Sequence, residues 1–381
     1  MRRTLVRFLA LTAGFFALYA LTAQRGLGWG DSGEFQHWVL HGCPVGVKYP
    51  SQHPLYLAAA RLVASTPFGV TLVSAFFGAL SVGGLYLCVR RRPPAVLFGL
   101  SHMLWWNSCV AEVQTMNLAF TGFETALLLR AVETRGVCAL TLLFALNGLH
   151  TGVHNFAFLC LPVFLFTAFR LRFRPLSVAI ALLGWALGAA GFLRASLAAL
   201  AGDGPVGWFR LMMVGDYGAK VCGLLPSDGM VTGFNFALAA LSFAVPAALA
   251  WWSRGRPSAA GESARIRRVA VGALFAVNAL FWVRYFVPDQ AMFVLPTLFF
   301  AYVMLGTAEI RANRLAALAL LQVLLPVAAY LALSGLPLPQ GRGRHGDRDD
   351  AAYFALPWKM NEDSADRHAA AIGGIWDGYP E

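Results

Sequence analysis

The stretch RRTLVRFLALTAGFFALYALTAQRGLGWGDSGEF, residues 2–35, decides the fold. Arg2, Arg3 and Arg7 precede an apolar run at 8–24, and two carboxylates, Asp31 and Glu34, follow shortly beyond it. A basic flank, an apolar run and small residues near Ala23 also describe a cleavable signal peptide. The rest of the chain decides against that. Its 381 residues are 58% hydrophobic and only 13% charged, with mean hydropathy +0.60. Soluble domains carry about 25% charged residues. Half that share over this length excludes an ordinary soluble enzyme, a disordered chain and a disulfide scaffold. It leaves an integral membrane protein whose first apolar run is a signal anchor.

Working outward, apolar runs recur at residues 68–89, 95–110, 117–129, 137–149, 153–169, 177–193, 234–252, 269–287, 292–307 and 315–334. With 8–24 they predict an all-α, polytopic bundle of about 11 transmembrane helices. Arginine clusters fall on alternate connections: Arg90, Arg91 and Arg92; Arg130 and Arg135; Arg170, Arg172 and Arg174; Arg254 and Arg256, then Arg265, Arg267 and Arg268; Arg311 and Arg314. By the positive-inside rule the N-terminus is cytoplasmic and the C-terminus extracytoplasmic, in a bacterial inner membrane. Residues 1–335 then form the membrane domain, with a first outer loop at 25–67, and 336–381 an extracytoplasmic tail. Residues 55–65 are apolar at helical spacing, broken by Arg61, and predict an interfacial helix on the outer surface. No internal repeat is visible.

This topology also explains the net charge of +11. Of 30 basic residues, 18 lie on the connections assigned to the cytoplasm, beside only Glu133, Glu262 and Glu309. The excess reports orientation rather than affinity for nucleic acid. Cys88, Cys109, Cys138 and Cys160 lie in or beside apolar runs and read as packing residues. Cys43 and Cys222 fall on outer loops, where they can pair if their geometry allows.

Lys and Arg alone set this orientation, yet the polar clusters gather outside. In Trp29-Gly30-Asp31-Ser32-Gly33-Glu34-Phe35 the two carboxylates are three apart, so one helical turn puts them on one face. That pair suits general-base work or a divalent metal; the same residues also resemble a helix-capping box, Asp31 as cap and Glu34 at its third position. Glu112 and Asn117 flank the turn after the third span. His150 and His154 are four apart at a hairpin tip, spaced to share a helical face and hold a metal or phosphate. Tyr285, Pro288, Asp289 and Gln290 follow the ninth span, and Arg284 at its edge can clamp a phosphate or snorkel to the interface. Ionisable residues at this depth mark function by default. Glu124, inside the fourth span, needs a buried partner that the sequence does not name.

In order, these motifs resemble the GT-C superfamily of polytopic glycosyltransferases, which use polyprenyl-phosphate sugars. The chain is most similar to a family named for a domain of unknown function, some eukaryotic members of which are protein O-mannosyltransferases. That family opens with Asp-Ser-Gly-Glu after its first helix, here Asp31 to Glu34. A His-Pro-Pro-Gly-Tyr-Pro-Leu-Tyr-like segment matches Tyr49-Pro50-Ser51-Gln52-His53-Pro54-Leu55-Tyr56, with Tyr49 where the family has His and Gln52 where it has Gly. An Ala-Glu-Val-Tyr-x-x-Asn-like turn matches residues 111–117, with Gln114 in place of the aromatic. The hairpin tip matches 148–154, and an Asp-x-x-x-Phe-x-x-Pro-like segment matches 289–296. The tail stretch around Tyr353, Phe354, Pro357, Trp358 and Lys359 is similar to some bacterial relatives.

The resemblance implies transfer of a single sugar, mannose among the candidates, from a polyprenyl-phosphate donor to an acceptor hydroxyl at the outer face, with inversion. Asp31 is then the general base, and Glu34 orients it or the acceptor, or helps hold a metal; a divalent metal is an open requirement, and no other cofactor is implied. His53, Tyr56, Glu112, Asn117, His150, His154, Arg284, Asp289 and Gln290 are the expected substrate-binding residues, with Arg210 or Lys220 as alternatives to Arg284 at the leaving phosphate. The expected partners are the bilayer, the lipid-linked sugar and an acceptor that is protein, glycan or lipid. A multi-pass transporter or flippase is the alternative; it would place charge near the midplane in repeated halves. An assembly protein without chemistry is a third reading.

Overall fold

A computed structural model of the chain describes residues 2–28, 30–42, 53–214, 229–252, 261–287, 290–306, 310–333 and 350–362. The expectations for Cys43, Cys222, Lys220, Asp289 and segment 49–52 lie outside these residues. Every regular element among the described residues is helical. In order they are α1 (Arg2–Thr22), α2 (Asp31–His41), α3 (Pro54–Val63), α4 (Pro67–Val89), α5 (Arg92–Gly99), α6 (His102–Ser108), α7 (Gln114–Thr134) and α8 (Val137–His150). Then come α9 (Ala157–Arg170), α10 (Pro175–Gly188), α11 (Ala190–Phe209), α12 (Gly229–Trp252), α13 (Glu262–Arg284), α14 (Leu295–Leu305), α15 (Ala312–Leu333) and α16 (Asp350–Ala355). Short 3-10 turns cover Gln290–Val294 and Pro357–Glu362.

Among the described residues five helices are long and apolar enough to cross a membrane: α1, α4, α12, α13 and most of α15. The pair α10–α11, bent by 73°, makes a sixth if it is one broken span. Each of the 11 apolar runs forms helix, but several are too short to cross alone. The run 95–110 is split into α5 and α6 where the backbone turns extended at Ser101 (φ −65, ψ 139), which caps α6. α8 and α9 have 14 residues each, against the roughly 20 a crossing needs. The run 292–307 is a 3-10 turn followed by an 11-residue helix whose side chains are buried from Leu295 to Val303. α7 is long, but it buries Asn117, Thr121, Glu124 and Thr125 against protein. Outside this core, Leu5, Leu9, Phe169, Leu187, Leu197 and Leu331 are exposed, a surface that suits lipid and not water.

Basic residues gather at one end of the bundle. α4 and α7 stop at Arg90 and Arg135, and the turn after α9 contains Arg172; all three have left-handed backbones (φ 54, 50 and 55). Such a conformation costs a non-glycine residue about 1 kcal/mol. At the end of α4 and α7 it puts a cation beside the negative pole of a helix. Arg90 pairs with Glu133 (3.8 Å), Arg135 with Glu262 (3.1 Å), and Arg267 donates to the Cys88 carbonyl (3.2 Å). The predicted outer loops meet at the other end. Gln24 N–H donates to the Cys109 carbonyl, Leu55 N–H to the Gly152 carbonyl, and Asn155 Nδ2 to the Met212 carbonyl. The tail piece 350–362 docks there too: Trp106 and His102 donate to the Tyr353 and Phe354 carbonyls, and Asn361 reaches the Leu21 carbonyl.

The predicted interfacial helix is α3. Tyr56, Leu57 and Ala60 face inward, while Leu62 and Val63 are 85% and 75% exposed. Arg61 folds back to donate to the Trp38 carbonyl (2.7 Å), tying α3 to α2.

α8 and α10 approach at backbone contact. A Cβ on Gly148 would clash with the Trp185 carbonyl oxygen, and one on Gly188 with that of Ala145. Small residues at such crossings bring helices together in lipid. Gly148→Ala is expected to destabilise by about 1–3 kcal/mol, at the upper end because the atoms met are backbone. Gly14→Ala, with nothing within 4 Å of the added carbon, should be neutral or better in the same thermal melts.

Candidate active site

Gly30 caps α2 in a backbone conformation (φ 55, ψ −131) that glycine adopts readily, and no side chain completes the cap. The capping box that the sequence allows is therefore not formed. Gly33 and Glu34 bond the Gly30 carbonyl (3.0 and 3.2 Å). Asp31 becomes the first residue of the helix, exposed, and Glu34 sits one turn on, half-buried. Gln36, which sequence reasoning passed over, holds this helix end. Its Oε1 accepts the Gly28 N–H (2.6 Å), and its Nε2 faces the carbonyls of Gly26 and Pro67 and the Thr71 hydroxyl. A fully buried glutamine with both amide atoms engaged pins the linker from α1 and the start of α4 to α2.

From α2 a line of ring contacts joins the scattered motifs. Phe35 meets His53 (centroids 5.7 Å) and Tyr56 (5.5 Å). His53 stacks on His154 at 5.1 Å and 20°. His154 meets Phe156 (4.3 Å) and Phe293 (6.1 Å), and Phe293 meets Tyr285 (4.8 Å) next to Arg284. His53 has φ 53, caps α3 and bonds the Val153 carbonyl through Nδ1 (2.7 Å). His154 Nδ1 accepts the Phe156 N–H (3.3 Å).

Tyr56 is buried one layer deeper. Ser74 donates to the Glu112 carbonyl and accepts the Glu112 N–H, both at 2.8 Å. Its one proton is used, so Tyr56 donates to it at 2.9 Å. Glu112 is buried, and its Oε2 accepts the Val113 N–H (2.8 Å).

The two histidines expected to share a helical face instead separate. His150, the last residue of α8, turns inward: Nδ1 meets Glu124 Oε1 at 2.9 Å and Nε2 donates to Asn117 Oδ1 at 2.7 Å. Asn147 donates to the same Glu124 oxygen (3.2 Å) and accepts from Trp185 (3.2 Å), and Asn117 donates to Gln114 (3.2 Å). Glu124 thus has its partner. Its second oxygen, Oε2, is buried with no hydrogen-bond partner among the described residues.

Of the remaining expected residues, Gln290 is buried and clasps Trp282: Nε2 donates to the Trp282 carbonyl (2.7 Å), and the indole donates to the Gln290 carbonyl (3.0 Å). Arg284 is half-buried at the end of α13, its guanidinium 5.6 Å from the Phe286 ring. Arg210 is exposed at the end of α11. Among the described residues no three His, Cys, Asp or Glu side chains converge as a metal cluster would. The structure thus brings Phe35, His53, His154 and Phe293 together beside the α2 terminus, and seats Tyr56, Glu112, Asn117 and His150 in the wall behind. Besides Gln36, the residues missed from sequence are Ser74 and Asn147. A single serine or asparagine in an apolar run carries no periodic signal.

This bundle, with its basic end and its polar, histidine-rich end, has the GT-C glycosyltransferase fold. It matches the crystal structure of ArnT from Cupriavidus metallidurans bound to undecaprenyl phosphate, with a TM-score of 0.56 and 16% identity, over 87% of this chain and 66% of ArnT. In sequence it is 33% identical over 138 residues to the protein O-mannosyl-transferase TMEM260 of Mus musculus, spanning 32% of this chain and 19% of that relative. No family model matches the chain.

Burial pushes His53 down to about 4, its bond to Val153 opposing. Burial, then the neighbouring His53 and His150, hold His154 well below its ordinary value. A folded-state value below the unfolded one means the unfolded chain binds more protons in between. The stabilisation is then full above about 6.5 and is lost as pH falls towards about 4. Melting temperature should fall less over that window in His53→Asn than in the wild type. At the buried pair, Glu124→Leu should cost about 3–5 kcal/mol, because it strands His150 and Asn147, and Glu124→Gln less; denaturation of the purified variants checks both.

Proposed function

We propose that the chain is a membrane glycosyltransferase that moves one sugar from a polyprenyl-phosphate donor to an acceptor hydroxyl at the extracytoplasmic face. The observation that carries this is the ring line from Phe35 through His53 and His154 to Phe293. It unites four motifs spread over most of the chain at one end of a GT-C fold. The likeness to ArnT bound to undecaprenyl phosphate supports a polyprenyl-phosphate donor, and the likeness to a protein O-mannosyl-transferase makes mannose the first sugar to test.

In this reading the N-terminus and the arginine-rich end are cytoplasmic, in a bacterial inner membrane. Asp31, exposed at the first position of α2, takes the proton from the acceptor hydroxyl as its oxygen attacks the anomeric carbon. The bond from that carbon to the phosphate oxygen breaks, the configuration inverts, and polyprenyl phosphate leaves. The N-terminus of α2 favours the negative charge of the base. Glu34, one turn on, orients Asp31 or the acceptor. The departing phosphate needs a cation placed where charge develops. Arg284 at the membrane edge supplies it, with Gln290 shaping that side; Asp289, outside the described residues, is kept as an expected binding residue. His53, His154, Tyr56, Glu112, Asn117 and His150 form the pocket and its supporting wall. The tail folds onto the same outer end.

Asp31→Asn keeps the size of the side chain and removes the base. Membranes carrying it should show no release of polyprenyl phosphate from polyprenyl-phosphate mannose, at unchanged expression and melting temperature. A fully active Asn variant overturns the mechanism. Wild-type protein that moves the intact lipid-linked sugar between leaflets without cleaving it would instead be a flippase.

A further inference from the structure

We infer that His53 and His154 act as one neutral pair that holds the donor's sugar ring by its hydroxyl groups, with His53 Nε2 accepting and His154 Nε2 donating. The inference rests on the glycosyltransferase reading above and assigns the pair a ligand, the sugar rather than its phosphate.

The hydrogen bonds fix both tautomers. A carbonyl only accepts, so the bond from His53 Nδ1 to Val153 (2.7 Å) puts the proton on Nδ1 and leaves a lone pair on Nε2. The Phe156 N–H points at His154 Nδ1 (3.3 Å), so that nitrogen holds a lone pair and Nε2 carries the proton. Among the described residues neither Nε2 has a hydrogen-bond partner, and both rings are half-buried rather than sealed. One acceptor and one donor therefore stand on stacked rings 5.1 Å apart, within the span of one sugar ring.

Charge argues the same way. Two imidazolium rings stacked at this distance in a partly apolar site would repel, and a proton on His154 Nδ1 would break its bond to Phe156. With His53 itself pushed down to about 4 by burial, the pair stays neutral at physiological pH and offers an anion little. The rings touching it are Phe35 on one side and Phe156 and Phe293 on the other, and the titratable neighbour behind His154 is His150, itself paired with Glu124. Apolar surface with a few fixed polar atoms is how pockets orient an uncharged ligand. A hexose presents just that: an apolar C–H face and a rim of hydroxyls that both donate and accept.

The test melts purified protein in nanodiscs with undecaprenyl phosphate, and with its mannosyl and glucosyl esters. At least one ester should stabilise the wild type beyond the bare lipid phosphate. His53→Asn tolerates the left-handed backbone and lacks Nε2; His154→Phe keeps a ring in the stack and lacks the donor. Each should weaken apparent affinity for that ester about tenfold, the size of one hydrogen bond, and leave the shift from bare undecaprenyl phosphate unchanged. That retained shift also shows that the variants are folded. Equal loss of both shifts would assign the pair to the phosphate and overturn the inference. So would full retention of the ester increment, or a wild type that never distinguishes ester from bare lipid. A wild type that responds to no lipid overturns the glycosyltransferase reading itself.

Discussion

The carboxylate of Glu124 is buried inside a bundle that lipid surrounds, and such a group must be paired or neutralised. Everything at the polar end follows from how that is done. His150 reaches it from the last turn of α8 and Asn147 from one turn earlier, so the end of α8 is locked against the middle of α7. Asn117 takes the far side of the imidazole, which forces a proton onto Nε2 whether the shared proton lies on the acid or the ring. Breaking such a pair from one side costs several kcal/mol, so the hairpin tip leaves α8 in a fixed direction. Residues 151–156 then place His154 on His53, and the Val153 and Gly152 carbonyls on His53 and Leu55. A buried interaction away from the groups proposed to react thus sets the position of the proposed site.

Lipid also explains why the two ends differ. Within the bundle, polar side chains satisfy themselves locally: Thr121 and Thr125 bond carbonyls one turn back, and Ser108 and Asn107 do the same. The two ends carry different side chains. The basic end carries arginines at helix termini. The other end carries histidines stacked among aromatic rings, which is the composition of a binding site.

The sidedness was legible because it rests on charge counting over whole connections, where single residues do not matter. The lengths of the spans were not: an apolar run buried by protein, as in α14, reads like one buried by lipid, and only neighbours distinguish them. His150 and His154 show a second limit. Spacing of four promises a shared face only while the helix continues, and α8 ends at His150. Likewise Asp-Ser-Gly-Glu reads as a capping box until Gly30 takes the cap through its own backbone. Gln36 sits in a helix whose apolar pattern tolerates it anywhere, and nothing in sequence says that both ends of its amide will be used.

That last residue bears on how an exposed carboxylate can be a placed one. Asp31 has no cap role, and its side chain lies at the surface. The linker before it is nonetheless fixed at both ends. At the α1 side, Gln24 bonds Cys109, Trp105 donates to the Thr22 hydroxyl (2.9 Å), and Asn361 of the docked tail reaches Leu21. At the α2 side, Gln36 holds Gly26 and Gly28. For the base proposed above, preorganisation asks that the backbone carrying it be held while its side chain lies at the surface. The tail acts in the same sense: by closing over α6 it steadies Trp105 and, through Thr22, the end of α1. The positions of Asp31 and of the histidine pair are therefore set by separate networks, one through α1, α6 and the tail, the other through α7 and α8, which meet at Phe35.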